Sequence, residues 1–239
     1  MSTTNTRSPF RSKGFIVAAI VVGAIILAAI IALATSLLGG GDTNADPTPV
    51  PTTSATADAE ETDPSICGLE GYEETSSLET APDNDWELIG TMAAPVDERT
   101  GPGDVDVAGF RSCFAHTAEG ALFAAVNFVA TGTDAAIGPR LIELVAPGPG
   151  RDVLEGQGSD GNTSNLRAQV AGYKVSAYSA DAATVDLALN YSSGQLVSLP
   201  FKLVWAEGDW KVEVTDAGEF PLAPAQLQNL GGYTPWSGA

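Results

Sequence analysis

Hydrophobic and polar positions divide the chain into stretches of different period. Residues 15–38 (FIVAAIVVGAIILAAIIALATSLL) form a run of 24 residues without a charge. At about 1.5 Å of rise per residue, such a helix spans roughly 36 Å, enough to cross a hydrocarbon core of about 30 Å. Residues 39–65 then hold few large apolar side chains among Thr, Pro, Ala and acids, and read as a semi-extended linker. Residues 115–130 (AHTAEGALFAAVNFVA) predict a helix capped by Thr117, with Ala121, Leu122, Ala125, Phe128 and Val129 on one apolar face. Asp134 opens a second predicted helix that runs to about Ala146, with Pro139 in its first turn and Pro147-Gly148 as its stop. Residues 151–164 read as loop. From Ala168 the period drops from 3.6 to 2. Segments 168–178, 184–191, 196–205 and 210–215 alternate, with short turns between them, and predict an antiparallel meander.

Helices followed by a meander make an α+β layer plan. Ahead of them, residues 66–106 read as an irregular lead-in with one short strand at 86–89. The expected organisation is a cytoplasmic tail (1–14), a transmembrane helix (15–38), a linker (39–65), an exported α+β domain (66–216) and an aromatic C-terminal tail (217–239).

Charge gives this plan a direction. Arg7, Arg11 and Lys13 precede the apolar run, and the first acid is Asp42. That asymmetry keeps the N-terminus in the cytoplasm of a plasma-membrane protein and puts the C-terminal domain outside. A cleaved signal peptide is the rival, with Ala32-Leu33-Ala34 imitating a cleavage site, but its apolar core is usually shorter. Either reading exports the rest. Residues 42–107 carry 17 acids and one base, Arg99, and the whole chain has a formal net charge of −19. So acidic an exported surface repels phosphate backbones and excludes nucleic acid as its partner.

Cys67 and Cys113 both fall on the exported side, where a disulfide persists. A bridge between them would contribute at most about 4 kcal/mol by closing an irregular loop; two unrelated thiols are the other reading. Two cysteines and a single histidine do not make a four-ligand zinc site, and no cofactor or metal is expected.

Helix, helix, loop and four strands ending in LVWAEGDWKVEV resemble the nuclear-transport-factor-2-like (cystatin-like cone) superfamily, in which a curved sheet wraps helices around a conical pocket. CFAHTAEGALFAAVNF, LPFKLVWAEGDWKV and the terminal GYTPW together resemble membrane-anchored actinobacterial proteins of unknown biochemistry associated with conjugative elements. That resemblance covers about residues 66–239. It implies a cone domain with helices packed on a curved four-stranded antiparallel meander. It also implies a topology similar to the bitopic scaffold subunits of conjugation (type IV secretion-like) channels. The expected function is then a non-enzymatic scaffold. Its partners would be other envelope-machine subunits, further copies of itself, and the membrane through residues 15–38. An exported module binding a ligand or peptide in the cone is the alternative, and a small isomerase or dehydratase is a third reading.

Candidate chemistry is sparse. Gly156, Gly158 and Gly161 match G-x-G-x-x-G by letter, without the βαβ context a dinucleotide site needs. His116 is the lone histidine; in an enzymatic cone it would work with Tyr173 or Asp186, although Asp186 alternates to the outer face of its strand. Its bland reading is a backbone hydrogen bond at a helix start. Asp83-Asn84-Asp85-Trp86-Glu87 opens like a calcium loop but has Leu88 where the turn needs Gly, so a solvated acidic turn is expected there and at Asp104-Val105-Asp106. Tyr233 and Trp236 either dock on the domain's own sheet or serve as partner contacts.

Overall fold

The computed structural model describes residues 64–158 and 167–238, all within one compact unit, Asp58–Ala239. Two small antiparallel pairs come first. β1 (Asp85–Ile89) pairs with β2 (Met92–Val96), and β3 (Asp104–Val105) with β4 (Arg111–Ser112). Then come α1 (Ala118–Thr131), a 3-10 helix (Gly138–Leu144) and α2 (Pro149–Gln157). The main sheet follows, built from β5 (Ala168–Ser179), β6 (Ala182–Tyr191), β7 (Leu196–Ala206), β8 (Asp209–Val212), β9 (Ala225–Leu227) and β10 (Thr234–Pro235). Its order is β10-β5-β6-β7-β8, with β9 also on β7, and every pairing is antiparallel.

The core forms where the two periods meet. Val185, Leu187 and Leu189 of β6 and Phe201 and Leu203 of β7 point to the same face, one residue in two. α1 lies across that face and packs on its other side against β2. Every α1 residue except Glu119 is buried, so the helix has no wet side, and its sequence is apolar nearly all round for that reason. Small residues permit the close approach: a Cβ on Gly120 would lie 1.9 Å from the Ala115 carbonyl oxygen. The Asn127 amide donates to the Phe123 and Pro95 carbonyls and so ties the helix to β2.

After β8 the chain crosses the outer face of the sheet. β9 pairs with β7 near one edge and β10 with β5 at the other. Between them the Tyr233 hydroxyl donates to Asp186 on β6, at 2.7 Å, and Ser198 of β7 donates to the second oxygen of the same carboxylate. Gly172 gives the strap room, since a Cβ there would lie 2.8 Å from the Thr234 carbonyl oxygen. The strap covers part of both exposed edges, where unpaired backbone groups would otherwise invite another strand.

The expected fold class is overturned. A cone of helices on a four-stranded meander does not describe this body, which is sheet-rich: ten strands in three sheets among the described residues, with a six-stranded main sheet. The second predicted helix is a 3-10 turn over Gly138–Leu144, because Pro139 and the Pro147-Gly148 stop leave too short a run for an α-helix. Part of the segment read as loop is α2, which Pro149 opens as its first residue. β2 had no place in the pattern. No helix among the described residues is long and apolar enough to cross a membrane, so a transmembrane helix is not an element of the described fold. The expectations for residues 15–38 and for the linker up to residue 63 lie outside the described residues.

Candidate functional site

Cys67 and Cys113 are joined by a disulfide with their Cα atoms 6.2 Å apart. The turn after β7 supports the same place. Ile66 N–H donates to the Gly208 carbonyl at 2.8 Å, and Asp209, 1% exposed, accepts backbone N–H bonds from Cys113, Phe114 and Trp210, each at 2.9 Å. Lys211 Nζ stands 3.4 Å from the same carboxylate and also donates to the Glu143 carbonyl. Cys113 is held in the left-handed region (φ +66°), which aims its N–H and the next one at that single anion. Asp209 is therefore a buried charge with its oxygens occupied, and it fixes the hairpin to the start of α1.

His116 sits beside this node, 2% exposed. Its ring stacks on Trp205 (3.7 Å between centroids, 5° apart) and meets the edges of Tyr72 and Trp210. Nε2 lies 2.6 Å from the Ala180 carbonyl, which can only accept, so this nitrogen donates. Neither expected partner reaches it. Tyr173 donates to the Leu78 and Thr80 carbonyls, and burial pushes its phenol up to about 12. Asp186 lies on the opposite face of β6 under Tyr233. The space between sheet and helix is filled by Phe123, Tyr173, Trp210 and Trp236.

Trp236 is 6% exposed; it packs against Trp86, Phe123 and Tyr173, and its indole N–H donates to Asn84 Oδ1 at 3.0 Å. The structure places both tail aromatics against this domain's own residues.

A surface cleft of about 600 Å³ opens at the end of the β1–β2 pair away from its turn. The β1 side contributes Asp83, Asn84, Asp85 and Glu87; the loop after β2 contributes Asp97, Glu98, Arg99 and Pro102; Val105 and Arg111 close it from β3 and β4. Burial pushes Asp97 up, but N–H bonds from Arg99 and Thr100 and the Arg99 charge outweigh it and hold the carboxyl below its usual value. Arg111 projects from β4 with its side chain only 9% exposed. Its Nη2 pairs with Glu87, while Nε and Nη1 meet no acceptor. The carboxylates do not converge: among the described residues no group of three or more His, Cys, Asp or Glu is placed to hold a metal ion. Asp106 turns away from the calcium-loop reading as well. It pairs with Arg140, which holds its carboxyl below the usual value, and it accepts N–H bonds from Ala108 and Phe110.

The sequence grouped Asp83, Asp85 and Glu87 but missed Asp97, Glu98 and Arg111, which only tertiary pairing brings alongside. One signal was available: Arg99 is the lone base in an acidic stretch. Gly156 lies in α2 and Gly158 caps it, while residues 159–161 lie outside the described residues.

A family model described as Domain of unknown function (DUF8175) matches residues 46–235. The chain belongs to this family. The DUF8175 match takes in the disulfide, α1, the cleft and the main sheet through β10. No curated protein and no solved structure matches this DUF8175 chain.

Proposed function

We propose that this DUF8175 protein is a membrane-attached, extracytoplasmic assembly subunit of a cell-envelope machine, of the conjugative (type IV secretion-like) kind, and that it works through its surface. The observation that carries this reading is the aromatic packing that closes the space between α1 and the main sheet. Where a cone enzyme or a cone-pocket binder would need space, Trp236 packs on Phe123 of α1 and on Tyr173, Trp210 packs on Tyr178 and Trp205, and the lone histidine is enclosed by Tyr72, Trp205 and Trp210. Surface clefts are what this domain offers a partner. Membrane attachment and orientation rest on the uncharged residues 15–38 and the bases before them. The conjugative assignment rests on the resemblance of the CFAHTAEGALFAAVNF, LPFKLVWAEGDWKV and GYTPW segments.

Chemical cross-linking in intact cells, followed by purification of the full chain, tests the proposal. Adducts with other envelope proteins or with further copies of the chain are expected. A chain recovered only as an uncross-linked monomer from membranes in which known complexes do cross-link overturns it.

A further inference from the structure

The outer edge of β1 is built differently from the edges of the main sheet. There, β10 lies on β5, β9 on the start of β7, and the Ala146 N–H donates to the Val212 carbonyl at the rim of β8. β1 pairs with β2 and, among the described residues, with no further strand. Which of its backbone groups β2 occupies follows from the residues opposite. Trp86 faces Pro95, which has no N–H and whose carbonyl accepts the Asn127 amide. Leu88 faces Ala93, whose N–H donates to Gln169 Oε1 at 3.3 Å. Both residues of β2 turn these groups away from β1, so the ladder bonds fall at Asp85, Glu87 and Ile89. The N–H and C=O groups of Trp86 and Leu88 point outward, and none of the four meets a partner among the described residues.

Such an edge is a template for one more strand. Edges are commonly blunted by proline, lysine or a bulge, and DWELI has none of them. Side chains alternate across it. Trp86 and Leu88 lie on one face, with Leu88 73% exposed; Asp85 and Glu87 lie on the other, both exposed. One exposed leucine or two exposed acids would be ordinary surface. Joined to unpaired backbone, they specify an incoming strand on both its faces: apolar side chains over Leu88, basic ones over Asp85 and Glu87. The acids also choose between occupants. Pairing with β1 of a second copy would set these carboxylates against their own kind, and residues 42–63 of the chain hold acids and no base, so both are repelled.

We infer that the outer edge of β1 takes up an extended segment of a partner protein, in which apolar residues alternate with lysine or arginine, as a third strand beside β1 and β2. The cleft lined by Asp85 and Glu87 gives the long basic side chains room. This deepens the assembly reading by giving the partner a chemistry, and rests on it only for the edge's extracytoplasmic location.

Hydrogen exchange of the full chain in detergent micelles, read at the β1 amides, tests the inference. The probes are two acetylated and amidated pentapeptides, one of alternating lysine and valine and one of alternating glutamate and valine. At saturating lysine peptide the Trp86 and Leu88 N–H groups are expected to exchange about tenfold or more slowly, and the glutamate peptide to bind about tenfold or more weakly. Leu88→Pro deletes one outward N–H while leaving the ladder to β2 in place, and should abolish the protection of Trp86. Asp85→Lys changes only an exposed side chain and should erase the advantage of the lysine peptide, which keeps the test decisive if the proline variant does not fold. Equal binding of the two peptides, protection only outside β1, or no binding at all would each overturn it. So would β1 protection that rises with protein concentration in the absence of peptide, the mark of a second copy. Because this is binding by the purified protein, its failure leaves the cross-linking result standing, and the reverse also holds.

Discussion

Two charged groups, Asp209 and Arg111, are buried beside the same short stretch of chain, residues 111–114, and they are treated differently. Asp209 accepts three backbone N–H bonds and has Lys211 beside it. Arg111 has one exposed ionic partner and two nitrogens without an acceptor. Burial alone does not say how completely a charge is met by its surroundings. The difference lies in how completely the protein's own polar atoms answer the charge.

The largest effect should come from breaking the answered side. Asp209→Ala orphans three buried N–H groups and should cost about 4 kcal/mol, read as a lower midpoint in urea unfolding. If it costs no more than an exposed substitution, the contrast with Arg111 collapses. The strap provides an internal scale on the sealed face. Trp236→Ala empties a site packed against three aromatic rings and should cost about 3 kcal/mol, whereas Tyr233→Phe removes one hydrogen bond to Asp186 and should cost about 1 kcal/mol. On the unanswered side, Arg111→Met should move stability by no more than about 1 kcal/mol in either direction, since an apolar side chain of similar length has no unmet donors. A large loss there would mean that Arg111 is as structural as Asp209.

The smallest effect is a pH dependence at the helix start. Desolvation raises the Glu119 carboxyl above its ordinary value, the Thr100 hydroxyl opposes the shift, and the nearby Asp97 and Glu73 charges add to it. A carboxyl raised in the folded state favours folding when protonated. Its contribution is fully present below the unfolded value and is lost as pH rises through the folded one. Glu119→Gln should therefore melt higher than the parent at neutral pH, with the gap closing towards about pH 4.

The sequence disclosed most where one period ran unbroken. The expected strand 168–178 is β5 (Ala168–Ser179), 184–191 lies within β6 (Ala182–Tyr191), and 196–205 falls in β7 (Leu196–Ala206). Thr117 caps α1 by accepting the Gly120 N–H. What stayed hidden had no period to show. β2 is MAAPV, with a proline and two alanines, and becomes a strand only because β1 and α1 clasp it. β9 and β10 have three and two residues, too short for alternation, and exist because a sheet edge was there to pair with. One apolar face was expected on α1; burial on every side became visible only with the β1–β2 hairpin in place. The cleft was illegible for the same reason, since Arg111 reaches Glu87 across 24 positions of chain.

The disulfide has a mechanical consequence. Cys67 stands at the entrance to the described body, and Cys113 just before α1. All of β1 to β4 lies inside the loop their bond closes. Tension applied along the preceding chain would pass through the sulfur atoms straight into the helix and the β7–β8 hairpin, leaving the loop slack. With the bond reduced, the same pull would unpick β1 to β4 first and take the Arg111 cleft apart. One covalent link would thus decide whether the acidic cleft feels a pull on the preceding chain at all.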